Sequence, residues 1–120
     1  MGQHMKNRFK DIMDIEDVDG VIFLGFDGKI IYSEFVSHPP EHLADTDWHL
    51  FIHSLNGLRE AQFIFENRKF YIRRAAKGLI IVLMNKIAQT EMVRLNCDIL
   101  LSSLEEKEEK PKGLRRFFKF

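Results

Sequence analysis

The chain has 120 residues, 45% of them hydrophobic and 30% charged, and its 18 basic residues balance its 18 acidic ones. This length fits one domain, and zero net charge favours neither nucleic acid nor a membrane as partner. The single cysteine, Cys97, excludes an intramolecular disulfide. Because the longest apolar runs fall far short of the ~20 residues of a membrane-spanning helix, we expect a cytoplasmic domain.

The start of the chain predicts a helix followed by a β-hairpin. Residues 6–17 carry an apolar stripe at helical spacing, typical of a short amphipathic helix. The stripe consists of Phe9, Ile12, Met13 and Ile15. Two β-rich runs at 21–26 and 29–35 flank Asp27-Gly28, a dipeptide that favours a tight hairpin turn. Residues 1–5 could be an expression-derived extension, with Met5 as the native start.

A loop and a second helix are predicted next. Residues 37–47 contain two prolines and many polar side chains, as loops do. Thr46 or Asp47 could cap a helix over 47–58. Gly57 lies near its end and favours termination.

Three strand patterns and a long helix complete the predicted elements. The strands are expected at 61–67, 69–75 and 78–85, and the helix over 86–109. The helical stripe consists of Ala88, Met92, Leu95 and Ile99, with Val93, Leu100 and Leu104 beside it. We see no internal repeat.

The apolar patterns also predict the position of the strands in a sheet. The runs at 21–26 and 79–84 are apolar on both faces and should lie centrally, covered on both sides. The half-apolar segments 61–67 and 69–75 should lie nearer an edge. Two helices can cover one face, but the helix at 47–58 is too narrow to cover the other alone. A second copy of the chain could cover the gap, as could part of the loop at 36–47.

Over residues 6–104, the sequence resembles the Roadblock/LC7 family. The resemblance lies in the element order, in Val18-Asp19-Gly20-Val21 before the first strand, in Asp27-Gly28 at the hairpin, and in GLIIVLMN before the last helix. It implies an α/β (α+β) fold, a five-stranded antiparallel sheet with helices on both faces, in the profilin-like/Roadblock architecture. It also implies homodimers in which the second helices pack together and the third strands extend the sheet.

The resemblance further implies partners such as small Ras-like GTPases, dynein components or membrane-signalling scaffolds. We expect no cofactor. We therefore expect a non-catalytic dimeric regulatory or scaffold module. Its predicted dimer interface combines the apolar stripe of the second helix, expected to be exposed, with the third strand. The interface residues are Trp48, Phe51, Ile52, Leu55, Phe63 and Phe65.

Two histidine pairs invite a metal hypothesis. His38 and His42, like His49 and His53, are four residues apart, a spacing that suits two ligands on a helix. A zinc site would need a further ligand such as Glu41 or Asp45. We favour solvated or interface histidines and expect no metal. The carboxylates between residues 11 and 19 do not follow the calcium-loop spacing, so they predict a solvated acidic helix.

No phosphate-binding loop, dinucleotide fingerprint, nucleophile elbow or zinc-protease motif occurs in the sequence. Cys97 is interpreted as a small buried hydrophobe rather than a nucleophile. Residues 68–74 interleave basic and aromatic side chains, which favours a solvated strand face over a nucleic-acid-binding strand. Two alternative functions stay open: a small-molecule-binding sensory domain with a pocket lined by Phe23, Phe63 and Tyr71, and a metal-dependent enzyme.

Residues 105–120 form a predicted charged tail outside the domain. Its first five residues include four glutamates, whereas 110–120 contain five basic residues and no acidic ones. Such a segment could dock on a partner or on a membrane surface, or be disordered. The predicted docking residues are Arg115, Arg116, Phe117, Phe118 and Phe120.

Overall fold

A computed structural model describes residues 2–37, 47–65 and 67–109. The helices are α1 (Gly2–Arg8), α2 (Lys10–Met13), α3 (Trp48–Ser54) and α4 (Thr90–Glu109), and the strands are β1 (Val18–Gly25), β2 (Ile30–Phe35), β3 (Glu60–Phe65), β4 (Arg68–Arg74) and β5 (Gly78–Asn85). The strands form one sheet in the order β2-β1-β5-β4-β3, and every neighbouring pair is antiparallel. The predicted fold class is confirmed.

The hairpin between β1 and β2 is present, with a turn one residue longer than a two-residue loop. The Gly25 amide donates to the Lys29 carbonyl at 2.8 Å, and the Gly28 amide donates to the Gly25 carbonyl at 3.0 Å. Three residues, Phe26 to Gly28, therefore form the loop. Gly28 has φ 86°, the left-handed conformation that closes three-residue hairpin loops and favours glycine.

The central strands are those predicted from their apolar character. β5 occupies the middle of the sheet and β1 lies beside it, while β3 forms an edge. The core on the α1–α2–α4 face includes Phe9, Ile12, Val21, Phe23, Tyr71, Ile80, Val82, Val93, Cys97 and Leu100. The core on the α3 face contains Ile22, Leu24, Ile72, Leu79, Ile81 and Leu83.

The expectation that the α3 face of the sheet is left uncovered is wrong. All six core residues on that face are at most 3% exposed. Four apolar side chains of α3 and its C-cap pack onto them, together with Phe35 and Phe70 from the neighbouring strands; the four are Trp48, Phe51, Ile52 and Leu55. A short helix covers this face because aromatic side chains reach farther than the backbone cylinder does.

The bounds of all three predicted helices differ from the observed ones. The second helix ends at Ser54 rather than at residue 58. The first helical region ends at Met13 rather than residue 17, and Asp17 has φ 73°, a conformation incompatible with a continuing right-handed helix. The last helix begins at Thr90 rather than residue 86. The Asn85 carbonyl accepts from the Ala88 amide at 2.9 Å, and its side chain accepts from the Ile87 amide at 3.0 Å. These bonds form a turn before α4.

The predicted apolar stripe of α4 faces outward. Met92, Leu95 and Ile99 are exposed, whereas a second stripe beside it is buried. The buried stripe consists of Val93, Cys97, Leu100 and Leu101. Its spacing of four, three and one residues places all four on one helix face, so both stripes fit a helix and the sequence favours neither. Over the described residues, no helix is long and apolar enough to span a membrane.

Candidate partner-binding surface

Helix α3 has a defined inner side and a defined outer side. Asp47 caps its N-terminus, and the carboxylate accepts from the Leu50 amide at 3.2 Å. Asp47 is one of the two cap residues predicted from the sequence. Trp48 and Phe51 face the sheet and contact each other edge to face, with ring centroids 5.6 Å apart. The stripe predicted to be exposed is therefore half-buried within the chain, and its role in a dimer interface stays a prediction.

The C-terminal end of α3 is held by a residue that the sequence analysis did not single out. Arg74 donates through Nε to the Leu58 carbonyl at 2.9 Å and through Nη2 to the Leu55 carbonyl at 3.3 Å. Its guanidinium also lies 5.1 Å from the centroid of the Phe26 ring. Arg74 thus joins the end of α3 to β4 and to the β1–β2 turn, and it fixes the direction in which the outer side of α3 points.

An exposed apolar surface remains beside this helix. Leu50 on α3 and Leu58 after it are exposed, as are Phe63 and Ile64 on β3. We call Leu50, Leu58 and Phe63 the α3–β3 surface, because Ile64 projects from the opposite face of β3, the face on which its partner Lys69 contacts Ala88 and Thr90. Phe63 stacks on Phe70 at 5.0 Å between ring centroids, so its ring is held in place. The side chain of Phe65 lies outside the described part of the structure. The surface combines an apolar patch with an edge strand, a combination typical of protein–protein contacts.

The described histidines do not form a metal site. His49 and His53 are exposed on α3, and no group of three or more potential ligands occurs among the described residues. His38, His42, Glu41 and Asp45 lie outside those residues, so their part of the metal hypothesis stays untested.

The aromatic pocket of the sensory alternative does not form. Phe23 and Tyr71 are buried in the core under α4. Phe63 pairs in register with Phe70 and stacks on it, and Phe70 packs into the α3-face core. Because the sheet separates Phe63 from the other two rings, these three residues cannot line one pocket.

The basic residues of β4 contact other parts of the chain. Arg68 is nevertheless exposed, as predicted for a solvated strand face, whereas Lys69 and Arg74 are half-buried. Arg68 lies 3.6 Å from the Asp19 carboxylate. Lys69 donates to the Ala88 carbonyl at 2.9 Å and to the Thr90 hydroxyl at 3.1 Å. Together with the hydrogen bonds from Arg74 to the end of α3, these contacts hold β4 against its neighbours. The basic side chains of β4 therefore do not form a free basic stripe.

A polar network on the opposite face joins β3, β4 and α4. Arg73, only 5% exposed, pairs with the Asp98 carboxylate and donates to the Tyr71 hydroxyl at 3.0 Å. Tyr71 in turn donates to Glu60 at 2.5 Å, and Arg94 donates to the same carboxylate at 3.3 Å. Every charged member of this network is therefore paired.

The network and the surrounding core shift two pKa values. Burial raises the pKa of Tyr71 to about 12, and its hydrogen bond to Glu60 acts in the same direction. The hydrogen bond from Tyr71 lowers the pKa of the Glu60 carboxyl. Tyr71 thus stays protonated and Glu60 ionised at neutral pH. The pair is suited to holding β3 against β4, since neither group titrates near pH 7 as an acid–base catalyst does.

Cys97 lies on the side of α4 that faces the protein core, and it is fully buried. Burial raises the pKa of its thiol from 9.0 to about 12. Because the thiolate is the nucleophile, this environment opposes a catalytic role for Cys97.

We expect Cys97 to react with Ellman's reagent only when the protein unfolds. At pH 8 the native rate should be on the order of 100-fold or more below the rate in 8 M urea, because burial removes both thiolate and access. The measurement is absorbance at 412 nm over time, with free cysteine as the control. Equal rates in the native and unfolded protein would show an accessible thiol and contradict this placement.

The fold assembled from these elements is that of Roadblock/LC7 domains, so the predicted resemblance is confirmed at the level of fold. Among solved structures, Myxococcus xanthus MglB is similar with a TM-score of 0.66 and 13% identity, covering 87% of this chain and 90% of that chain. A Roadblock/LC7 domain from Streptomyces avermitilis gives a TM-score of 0.65 and 12% identity, covering 89% and 96%. An MglB structure with a tetrameric arrangement gives 0.60 and 13%, covering 85% and 82%.

No protein-family model matches the sequence. No curated protein matches it either. The likeness is thus carried by the fold rather than by sequence identity.

Proposed function

We propose that the chain is a non-catalytic module that pairs with a second copy through the α3–β3 surface. As a dimer it would bind and regulate a small Ras-like GTPase or a scaffold protein. The observation that carries the proposal is the α3–β3 surface itself: outward apolar side chains on α3 and β3 beside the edge of the sheet. The Roadblock/LC7 fold supports it by analogy.

The geometry of this surface suits a two-fold contact. A strand at a sheet edge can pair with an identical strand, and Leu50 and Leu58 would then lie on the same side of the joined sheet as their counterparts. Burying such side chains stabilises a contact by about 25 cal/mol per Å² of apolar area. One similar protein, MglB, is itself described in a tetrameric arrangement, which supports assembly through surfaces of this fold.

Three findings favour a binding function over catalysis. The thiol of Cys97 is buried with a raised pKa, and the carboxylates of Glu60 and Asp98 are paired. Among the described residues, no histidine belongs to a group of three or more potential metal ligands. The α3 side also exposes the apolar side chains of Leu50, Leu58 and Phe63. A regulatory partner would be recognised by that surface or by the surface that two copies create together.

Leu50→Asp should dissociate the dimer. Leu50 is 66% exposed, so the change leaves the folded monomer intact but places a charge in the contact, which we expect to weaken dimerisation by about 100-fold. Light scattering coupled to size-exclusion chromatography, at tens of micromolar protein, measures the mass. The matched control is Val36→Asp, because Val36 is 67% exposed beyond the end of β2, at the other edge of the sheet.

A monomeric wild-type protein would overturn the dimer, as would a Leu50→Asp variant that dimerises like Val36→Asp. The partner is tested separately, by affinity capture from the native host with wild-type and Leu50→Asp protein as baits. We expect the wild-type protein to retain a small GTPase, and the purified pair should bind differently when the GTPase carries GTP analogue or GDP. Capture of no GTPase and no scaffold protein would contradict the partner class.

A further inference from the structure

A groove runs between the N-terminal helices and α4, on the face of the sheet opposite the α3–β3 surface. Its wider part has a volume of about 590 Å³, and a narrower part of about 220 Å³ continues it towards Ser103. Asp11 and Asn96 border both parts. We call this feature the α2–α4 groove.

The two walls of the groove differ in chemistry. One wall carries four carboxylates: Asp11, Asp14, Glu16 and Asp17. The other carries Ile87, Met92 and Ile99 with Asn96 among them, and the three apolar side chains are 74%, 44% and 58% exposed. Met92 and Ile99 belong to the α4 stripe described in the sequence analysis. They lie on a folded surface without a cover from the described residues.

We propose that the α2–α4 groove binds the chain's own C-terminal segment, residues 110–120, in cis. This segment lies outside the described residues, and its composition matches the groove on both counts. Its five basic residues oppose the acidic wall, and Leu114 and its three phenylalanines suit the apolar wall. The inference is independent of the proposed dimer, which uses the other face of the sheet.

The charge balance of the groove favours a basic occupant. Lys10 pairs with Asp14 at 2.7 Å, and Arg8 donates to the Ser103 hydroxyl at 3.2 Å. Arg8 is the basic residue among the described residues that line the groove, whereas four carboxylates line it, so an excess of negative charge remains even with Lys10 beside Asp14. A segment with five positive charges is attracted to such a wall even where each exposed pair contributes little.

The apolar wall of the groove favours an occupant that carries aromatic as well as basic side chains. Met92 and Ile99 are seven residues apart and lie on one side of α4. An aromatic side chain placed over them removes apolar area from water on both partners, which is the main favourable contribution to such contacts. A segment that is basic and aromatic at once meets both requirements, whereas a purely basic one meets only the first.

The length of the segment suits binding in cis. α4 ends at Glu109, and Ile99 and Met92 lie ~15 Å and ~26 Å back along the helix at 1.5 Å per residue. Eleven extended residues span up to ~36 Å. Pro111 and Gly113 come directly after the helix and favour a reversal of direction there. The phenylalanines can therefore reach the groove of their own chain.

The first experiment locates the segment by paramagnetic relaxation enhancement. A spin label is attached to Phe118→Cys in a Cys97→Ala background, and the amide signals of the ¹⁵N-labelled protein are recorded. We expect broadening at Asp14, Met92 and Asn96, and none at Leu50. In a control sample, ¹⁵N-labelled protein without the spin label is mixed with spin-labelled protein that carries no ¹⁵N. This sample should show no broadening. Broadening in that mixture would assign the groove to a second copy's segment, and its absence from both samples would overturn the site.

The second experiment measures the contact as binding. A peptide of residues 110–120 is titrated into protein that ends at Glu109, and we expect Ile99→Asp to weaken its affinity by about tenfold. Glu16→Lys should weaken it several-fold, with a smaller effect in 0.5 M salt, where charges are screened. Ile31→Asp on β2, at an exposed apolar residue outside the groove, is the matched control. Equal affinity for all variants, or a peptide that binds anionic vesicles but not the protein, would overturn the proposal.

Discussion

Gly78→Ala is expected to destabilise the domain by about 3 kcal/mol or more, as overpacking against an unyielding neighbour does. Gly78 opens β5 and pairs with Gly25 of β1. A Cβ atom on Gly78 would overlap the carbonyl oxygen of Leu24 and lie 3.0 Å from the Cα atom of Gly25. Both obstacles are backbone atoms of the adjacent strand, so relief requires a shift of the central ladder rather than of a side chain.

The control for this change is Gly57→Ala. Gly57 has φ 88° and no atom within 4 Å of a Cβ built on it, so alanine there meets backbone strain without a clash and should cost about 1 kcal/mol. Urea denaturation followed by circular dichroism gives both free energies of unfolding. A Gly78→Ala variant no less stable than Gly57→Ala would show that β1 and β5 do not approach each other this closely.

Arg73→Met should be the second large change, with a loss of about 2–3 kcal/mol in the free energy of unfolding. Methionine fills a similar volume but leaves Asp98 without its cation and removes a donor to the Tyr71 hydroxyl. Asp98 is half exposed, so water can solvate its freed charge and the loss stays below that of a fully buried pair. The same denaturation assay measures it.

Two further variants separate the Arg73 contact from charge in general. Arg73→Met combined with Asp98→Asn should lose less than the sum of the single changes, because the two residues contact each other. Arg94→Met should destabilise less than Arg73→Met, since the Arg94 pairs with Glu91 and Glu60 are solvent-exposed. Additive losses for Arg73 and Asp98 would show that their pairing contributes no stability.

The strands were predictable because their patterns admit one interpretation. The runs at 21–26 and 79–84 are apolar at nearly every position, and only strands covered on both faces satisfy such runs. Asp27-Gly28 located the first hairpin because its glycine adopts positive φ. The length of that turn was not predictable, since two-residue and three-residue loops share this glycine requirement.

The helices were less predictable because each carries more apolar residues than it buries. On α4, the stripe of Met92 and Ile99 and the stripe of Val93 and Cys97 both satisfy helical spacing. Only the position of the sheet decides which stripe packs inside. On α3, the aromatic residues could equally have faced a partner. The Arg73–Asp98 pair joins residues 25 positions apart, so no local pattern in the sequence could indicate it.

The unequal edges of the sheet limit how far copies of the chain could assemble. If β3 pairs with β3 of another copy, that edge is consumed, and each end of the joined sheet is a β2 strand. β2 has six residues, and its pairing with β1 contains an irregularity between Phe23 and Leu24, a feature that twists an edge away from further pairing. Growth by strand addition would therefore stop at two copies, which protects a protein with an apolar edge from polymerising into fibres.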